Sequence, residues 1–237
     1  MITFDFKRFS IKPGFRILDI GCGSGRHVGG TVCHSKTVTV GTDINPADLR
    51  QAQIRLNDLK KMGFCKGTWH LAAADITRLP FPDHYFDLVI CSEVLEHIPD
   101  HQCAIAEALR VLKPGGNIGI SVPRYFPEKI CWFLSSAYRN MSGGHIRIYR
   151  KKELVNLLES AGLRLWASSY AHSLHTPYWW LKCLLGVERK DCAPVNLWHR
   201  FLVWDLMKHP AVTRMADRLF NPLMGKSLVL YLQKIQN

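Results

Sequence analysis

Leu18-Asp19-Ile20-Gly21-Cys22-Gly23-Ser24-Gly25 says more about the fold than any other stretch of this 237-residue chain. An apolar run, Arg16 to Ile20, leads into it, so the spacing predicts a strand, a glycine turn and a helix in succession. Glycines there let the backbone take angles that other residues avoid and let a ligand approach the main chain. Nicotinamide and flavin folds use a similar turn, spaced Gly-x-Gly-x-x-Gly. Here the residue three after Gly23 is Arg26, and the third glycine comes one position early, at Gly25. A pyrophosphate site also has no particular use for Asp19 just before the glycines.

Outward from this turn, strands and helices alternate from Arg16 to Ala161. Thr37 to Thr42 is predicted as strand two. Pro46 to Met62 has helical spacing, with Asn45 as N-cap and Gly63 as a stop. Gly67 to Ala74 is strand three, and Phe86 to Cys91 is a buried strand four. Asp100 to Leu112 reads as an amphipathic helix closed by a turn, Lys113-Pro114-Gly115-Gly116, before strand five at Asn117 to Val122. Lys151 to Ala161 is a further helix, Leu163 to Tyr170 strand six, and Ser227 to Gln233 a last strand. This alternation predicts an α/β fold, a parallel sheet with helices on both faces.

Acids at two strand ends narrow the ligand. Asp43 closes strand two in Val40-Gly41-Thr42-Asp43-Ile44, where a carboxylate can accept two hydrogen bonds from ribose hydroxyls. A dinucleotide enzyme would place an acid there too. Asp75 discriminates: it follows strand three in Ala73-Ala74-Asp75-Ile76, where it can take the exocyclic amine of adenine while Ile76 offers backbone and apolar contact. Structural alternatives stand beside each assignment. The glycines could serve only a tight turn, Asp43 could be a charge at a helix N-terminus, and Asp75 could cap a turn.

Taken in order, these pieces resemble the class I S-adenosylmethionine (SAM)-dependent methyltransferases, in particular the type 11-like subgroup related to the ubiquinone and menaquinone methyltransferases. The matching motifs are Ile17 to Gly25, Gly41-Thr42-Asp43-Ile44, Ala74 to Pro82, Phe86-Asp87-Leu88-Val89, Glu93-Val94-Leu95-Glu96-His97 and Leu109 to Gly116, with Gly144-His145-Ile146-Arg147 beyond them. The resemblance covers roughly residues 16–122. It implies a Rossmann-like seven-stranded sheet, mostly parallel, with its last strand antiparallel, and SAM as cofactor. It assigns the glycine turn (Asp19, Gly21, Cys22, Gly23, Gly25) to the methionine part of SAM, Asp43 and Ile44 to the ribose side, Asp75 and Ile76 to adenine, and Ser92 and His97 to the methyl end.

Methyl transfer from SAM is a displacement, so alignment of donor and acceptor matters most. A base is needed only if the acceptor must lose a proton. His97 and His145 are the catalytic candidates. Ser92 to Pro99 is expected to form about one helical turn, which would put Glu93, Glu96 and His97 on one face by their spacing. With His145 these residues could suit a divalent cation, as in some RNA 2′-O-methyltransferases and ubiquinone-pathway O-methyltransferases. Many relatives carry the same Leu-Glu-His without metal, so no metal is expected.

Bulk properties divide the chain. Residues 1–120 hold 14 Lys/Arg against 12 Asp/Glu, whereas residues 121–237 hold 17 against 7, so the overall +12 lies almost wholly in the second half. That half also contains 16 of the 25 aromatic residues. The chain is expected to be a single domain over 1–237, with a SAM-binding core at 16–122. Residues 123–150 and 171–226 would form an α-helical, aromatic-rich cap inserted before the last strand. Tyr178-Trp179-Trp180 beside Lys182 suits a half-wet boundary, so contact with a membrane surface or a lipid-like acceptor is one expectation, and a cap packed on the core is another. The preferred acceptor is a small or lipid-like molecule. RNA, the alternative, fits the charge but finds no appended RNA-binding module. The eight cysteines form no Cys-x-x-Cys pair and read as reduced thiols. The start carries Asp5 and no long apolar run, so no secretory leader is expected, and no spanning helix either. Together these predict a cytoplasmic protein.

Overall fold

Strand β1 (Arg16–Ile20) runs parallel to β2 (Val38–Asp43) on one side and to β4 (Phe86–Ser92) on the other. The computed structural model describes residues 2–189, 191–208 and 210–236. Among these, the strands form one seven-stranded sheet in the order β3-β2-β1-β4-β5-β7-β6, adding β3 (Thr68–Ala73), β5 (Leu112–Pro123), β6 (Leu163–Ala171) and β7 (Ser227–Lys234). β7 slots between β5 and β6 antiparallel to both. Strand order reverses between β1 and β4, and a crevice at such a reversal is where open α/β sheets bind ligands.

Alternate residues of the inner strands feed two apolar layers, as expected for a sheet covered on both faces. Leu18, Ile20, Val89 and Cys91 join one core with Ile118, Ile120 and Leu230. Ile17, Leu88 and Ile90 point the other way, against Phe4, Phe6, Phe9 and Tyr231. The N-terminal segment thus belongs to the core, with Phe6–Phe9 wound as a short 3-10 turn.

Helices on the sheet begin where local chemistry places them. α1 (Arg26–His34) follows the glycine turn. In α2 (Pro46–Lys61) Asn45 accepts from Ala47 N–H at 3.0 Å and Pro46 opens the first turn. In α3 (His101–Val111) Asp100 accepts from Cys103 N–H at 2.9 Å. α6 (Lys151–Ser160) is the helix expected before Gly162.

Two local expectations are corrected. Lys113 to Gly116 is not a free turn before strand five: β5 already pairs at Leu112, opposite Phe86, and the next match is Asn117 with Leu88. The extra residues bulge out of the ladder, with Gly115 at φ +72°. Ser92 to Pro99 is not a helical turn on one face. Glu93 takes a left-handed φ of +56°, and the chain closes with His97 N–H donating to Val94 O at 2.9 Å. That twist sends Glu93 and Glu96 to different neighbours.

The remaining helices are α4 (Tyr125–Leu134), α5 (Ser136–Arg139), α7 (His175–Leu185), α8 (Ala193–Lys208) and α9 (Ala211–Met224). α4 packs against α7, where Trp180 Nε1 donates to Pro127 O at 3.1 Å and the Cys131 and Cys183 thiols meet. No described helix is long and apolar enough to cross a membrane.

Candidate functional site

The glycine turn lies at the C-terminal end of β1, on one side of the strand-order reversal. Its glycines do different work. A Cβ on Gly21 would sit 2.4 Å from Val94 Cγ2, so this position is closed by the turn after β4. A Cβ on Gly23, at φ +50°, would meet nothing within 4 Å, which leaves its backbone facing open space. Cys22 is buried and its N–H donates to Thr42 O at 2.8 Å. Burial pushes its thiol up, so it is packing, not a nucleophile.

Asp19 is fully buried, and neither carboxylate oxygen has a hydrogen-bond partner among the described residues. Burial pushes its pKa up to about 7. A buried polar group left unpaired calls for an explanation, and a cationic ligand group at the glycine turn would supply one. Asp43 stands at the end of β2. Its Oδ2 accepts from Gly23 N–H at 2.8 Å and its Oδ1 from Asn45 N–H at 2.9 Å. It therefore braces the turn, while each oxygen keeps a second lone pair for a ribose hydroxyl. Ile44 is 73% exposed, an apolar surface beside that acid. Asp75 caps its own turn: Oδ1 accepts from Thr77 N–H and Thr77 Oγ, both at 2.8 Å, and these bonds lower its pKa. Ile76 points into the core with Leu18 and Leu95, so its side chain is not available to a ligand and only its backbone is.

The turn after β4 forms the other side. Ser92 is buried and its Oγ pairs with Ser121 Oγ at 2.9 Å, while Ser121 Oγ donates to Glu93 Oε1 at 2.9 Å. Glu93 is thus drawn towards β5. Glu96 is fully buried, neither oxygen has a hydrogen-bond partner among the described residues, and burial, then Glu93 nearby, push it well above the carboxylate range. His97 is half-buried, its Nδ1 3.1 Å from Gly144 O and its Nε2 3.9 Å from Glu96 Oε1. Burial, then His145, hold it below the usual imidazole range.

His145 does come beside His97, with ring centroids 5.0 Å apart. It is oriented by a residue that sequence reading missed: its Nδ1 lies 2.6 Å from Oε1 of the fully buried Glu128, whose other oxygen accepts from Lys226. A carboxylate can only accept, so Nδ1 carries the proton in that bond. Glu128 is the one acid in a largely apolar helical stretch, Tyr125 to Leu134, where Lys129 is the other charge, and this is the only local hint of a buried role. Glu96, His97 and His145 can each offer a ligand atom within 4.8 Å of the others, whereas Glu93 is not in that group. A cavity of about 470 Å³ opens here, lined by His97, His145, Trp132, Arg139 and Met141 among others.

The cap is partly redirected by the structure. Residues 123–150 supply most of that cavity's wall. Trp179 is half-buried, 5.7 Å from the Tyr138 ring with Lys226 Nζ 5.7 Å over its face, and Trp180 holds Pro127 O. Both indoles have protein partners and stay half-buried, the arrangement expected of a cap packed on the core.

Sheet order, glycine turn and strand-end acids define a class I methyltransferase fold. Residues 18–120 match the family described as Methyltransferase domain. The chain is 32% identical over 144 residues to sterol 24-C-methyltransferase erg6 of Aspergillus fumigatus, covering 60% of this chain and 34% of that protein. It is 35% identical over 120 residues to the ubiquinone/menaquinone biosynthesis C-methyltransferase UbiE of Vibrio cholerae, covering 48% of this chain and 45% of that one. The chain thus spans less than half the length of either relative. A SAM-dependent methyltransferase structure from Methanosarcina mazei superposes with a TM-score of 0.65 at 17% identity, covering 99% of each chain, a likeness of fold alone.

Proposed function

We propose that the protein transfers the methyl group of SAM to a small-molecule or lipid-like acceptor held in the cavity beside His97 and His145. The carrying observation is adjacency. The glycine turn after β1 and the turn after β4 touch at Gly21 and Val94, so a donor held by the first adjoins an acceptor held by the second. SAM, when bound, supplies an already activated methyl on a sulfonium centre. The chain's own residues bind and orient. Asp43 accepts from ribose hydroxyls, Asp75 from the adenine amine, and the buried Asp19 carboxylate matches the positive charge of the methionine part. Gly21, Cys22, Gly23 and Gly25 offer backbone, Ile44 an apolar face, and the turn of Ser92 and His97 the wall at the methyl end.

Where the acceptor must lose a proton, His145 is the group to take it. Its Nδ1–H is committed to Glu128, which leaves Nε2 as the lone pair when the ring is neutral. Relatives named for sterol and quinone C-methylation support an apolar acceptor, and Trp132 and Met141 suit one. The test is incubation with methyl-labelled SAM and fractionated cell extract. Label should appear in the small-molecule or lipid fraction. Label confined to RNA would overturn the acceptor class, and calorimetry showing no SAM binding would overturn the whole reading.

A further inference from the structure

Helix α9 is amphipathic in the opposite sense to its burial. Its inward side is polar. Asp217 Oδ1 accepts from Ser173 Oγ at 2.7 Å and from Leu174 N–H at 3.2 Å, and Asn221 Oδ1 accepts from Ser173 N–H at 3.0 Å. Arg124 fastens the end of the helix through Asn221 O and Pro222 O at 3.3 and 2.9 Å. Its outward side is apolar: Val212, Met215, Leu219 and Leu223 fall on one stripe and are 71%, 69%, 69% and 71% exposed. Met207, just before α9 in α8, is 74% exposed. A surface helix ordinarily turns such a stripe to the core, and large exposed apolar patches mark interaction sites.

Charge says what covers the stripe. Arg214 and Arg218 are exposed off the stripe, towards the polar side of the helix, and neither is in an ion pair among the described residues. They belong to a half-chain with 17 basic against 7 acidic residues. A second copy would bring the same basic half-chain and no excess of counter-charge for these arginines. An anionic bilayer supplies both an apolar layer for the stripe and counter-charge for the arginines, the arrangement of a helix lying in the membrane interface. The helix of 14 residues, about 21 Å long, needs no spanning segment for this. We propose that α9 docks the protein on an anionic membrane surface through Val212, Met215, Leu219 and Leu223, with Arg214 and Arg218 at the headgroups. The inference goes beyond methyl transfer and stands without it, since vesicle binding requires neither SAM nor acceptor.

Sedimentation of the purified protein with phosphatidylglycerol–phosphatidylcholine vesicles tests it. Wild-type protein should pellet at low salt and bind far less to pure phosphatidylcholine. Leu219→Glu with Leu223→Glu should weaken binding more than about tenfold, because two apolar anchors become charges. Arg214→Gln with Arg218→Gln should cost roughly thirtyfold on anionic vesicles, the effect of two cations near such a leaflet. All four side chains are exposed, so unchanged melting curves will certify folding. Wild-type protein left in the supernatant at low salt overturns the proposal, as does a stripe variant that binds like wild type. A dimer in ultracentrifugation that the stripe variant dissociates, with vesicles unbound, would also overturn it and assign the stripe to a second copy.

Discussion

Replacing Glu128 by Gln tests the buried charge cluster that no short stretch of sequence announces. The side chain is fully buried, between His145 and Lys226, whose side chains are only 18% and 12% exposed. Burial pushes the Glu128 carboxyl up, but the hydrogen bond from His145 and the charge of Lys226 outweigh it, bringing it from 4.5 down to about 2. A depressed carboxylate contributes stability that is fully present above its unfolded value and is lost as pH falls towards the folded one. The depression corresponds to about 3.4 kcal/mol at pH 7 and about 1.4 kcal/mol at pH 3, at 1.36 kcal/mol for each pH unit. Glu128→Gln keeps the shape, removes the charge and leaves Lys226 without its counter-charge, so a loss of about 3 kcal/mol is expected at pH 7. For a chain of this size that lowers Tm by about 6–12 °C. Thermal melts of both proteins at pH 7, 5 and 3 should show the gap narrowing below pH 5. A variant melting within about 2 °C of wild type at pH 7, or a gap that stays constant down to pH 3, would refute the electrostatic account. Turnover should fall as well, with SAM affinity unchanged, because one amide oxygen cannot accept from His145 and Lys226 as the two carboxylate oxygens do.

Three further outcomes are expected. Asp43→Ala should lose about 1.5–3 kcal/mol of SAM affinity by calorimetry, the size of a hydrogen bond to a charged group, and unchanged affinity would exclude Asp43 from the ribose site. Asp19→Asn removes a carboxyl whose pKa is raised from 3.8 to about 7, so the variant should be more stable at pH 8, by up to about 4 kcal/mol, with the gain fading towards pH 4 as the wild-type group protonates in both states. SAM affinity should nevertheless drop; a variant that gains stability and binds SAM normally would make Asp19 a structural residue only. A chelator should leave turnover unchanged, because Glu93, the fourth candidate ligand, is turned away to Ser121 and of the four only Glu96, His97 and His145 can reach a common ion; activity abolished by chelator and restored by Mg²⁺ would contradict this and assign a cation to Glu96, His97 and His145.

Sequence alone determined what depends on near neighbours. The strand-to-glycine turn at 16–25, the Asn45 cap, the helix closed before Gly162 and the acids at the ends of β2 and β3 were all legible, because backbone preference and apolar period act within a few residues. Asp19, Asp43 and Ile44 could be singled out for the same reason: a strand end presents whatever residue stands there. Other features were decided only by tertiary structure. The left-handed Glu93 broke a spacing that looked helical, since the turn had to fit against β5. Glu128 and Lys226 stand 98 residues apart and meet only because α4 and β7 converge beside His145. Trp179 and Trp180 left a boundary and a packed cap both open in sequence, and their partners Tyr138 and Pro127 come from α5 and α4. In α9 the side that faces inward is set by hydrogen bonds to Ser173 and Leu174, the backbone leading into α7. Periodicity gives a helix two faces, and only the surface it docks against chooses between them.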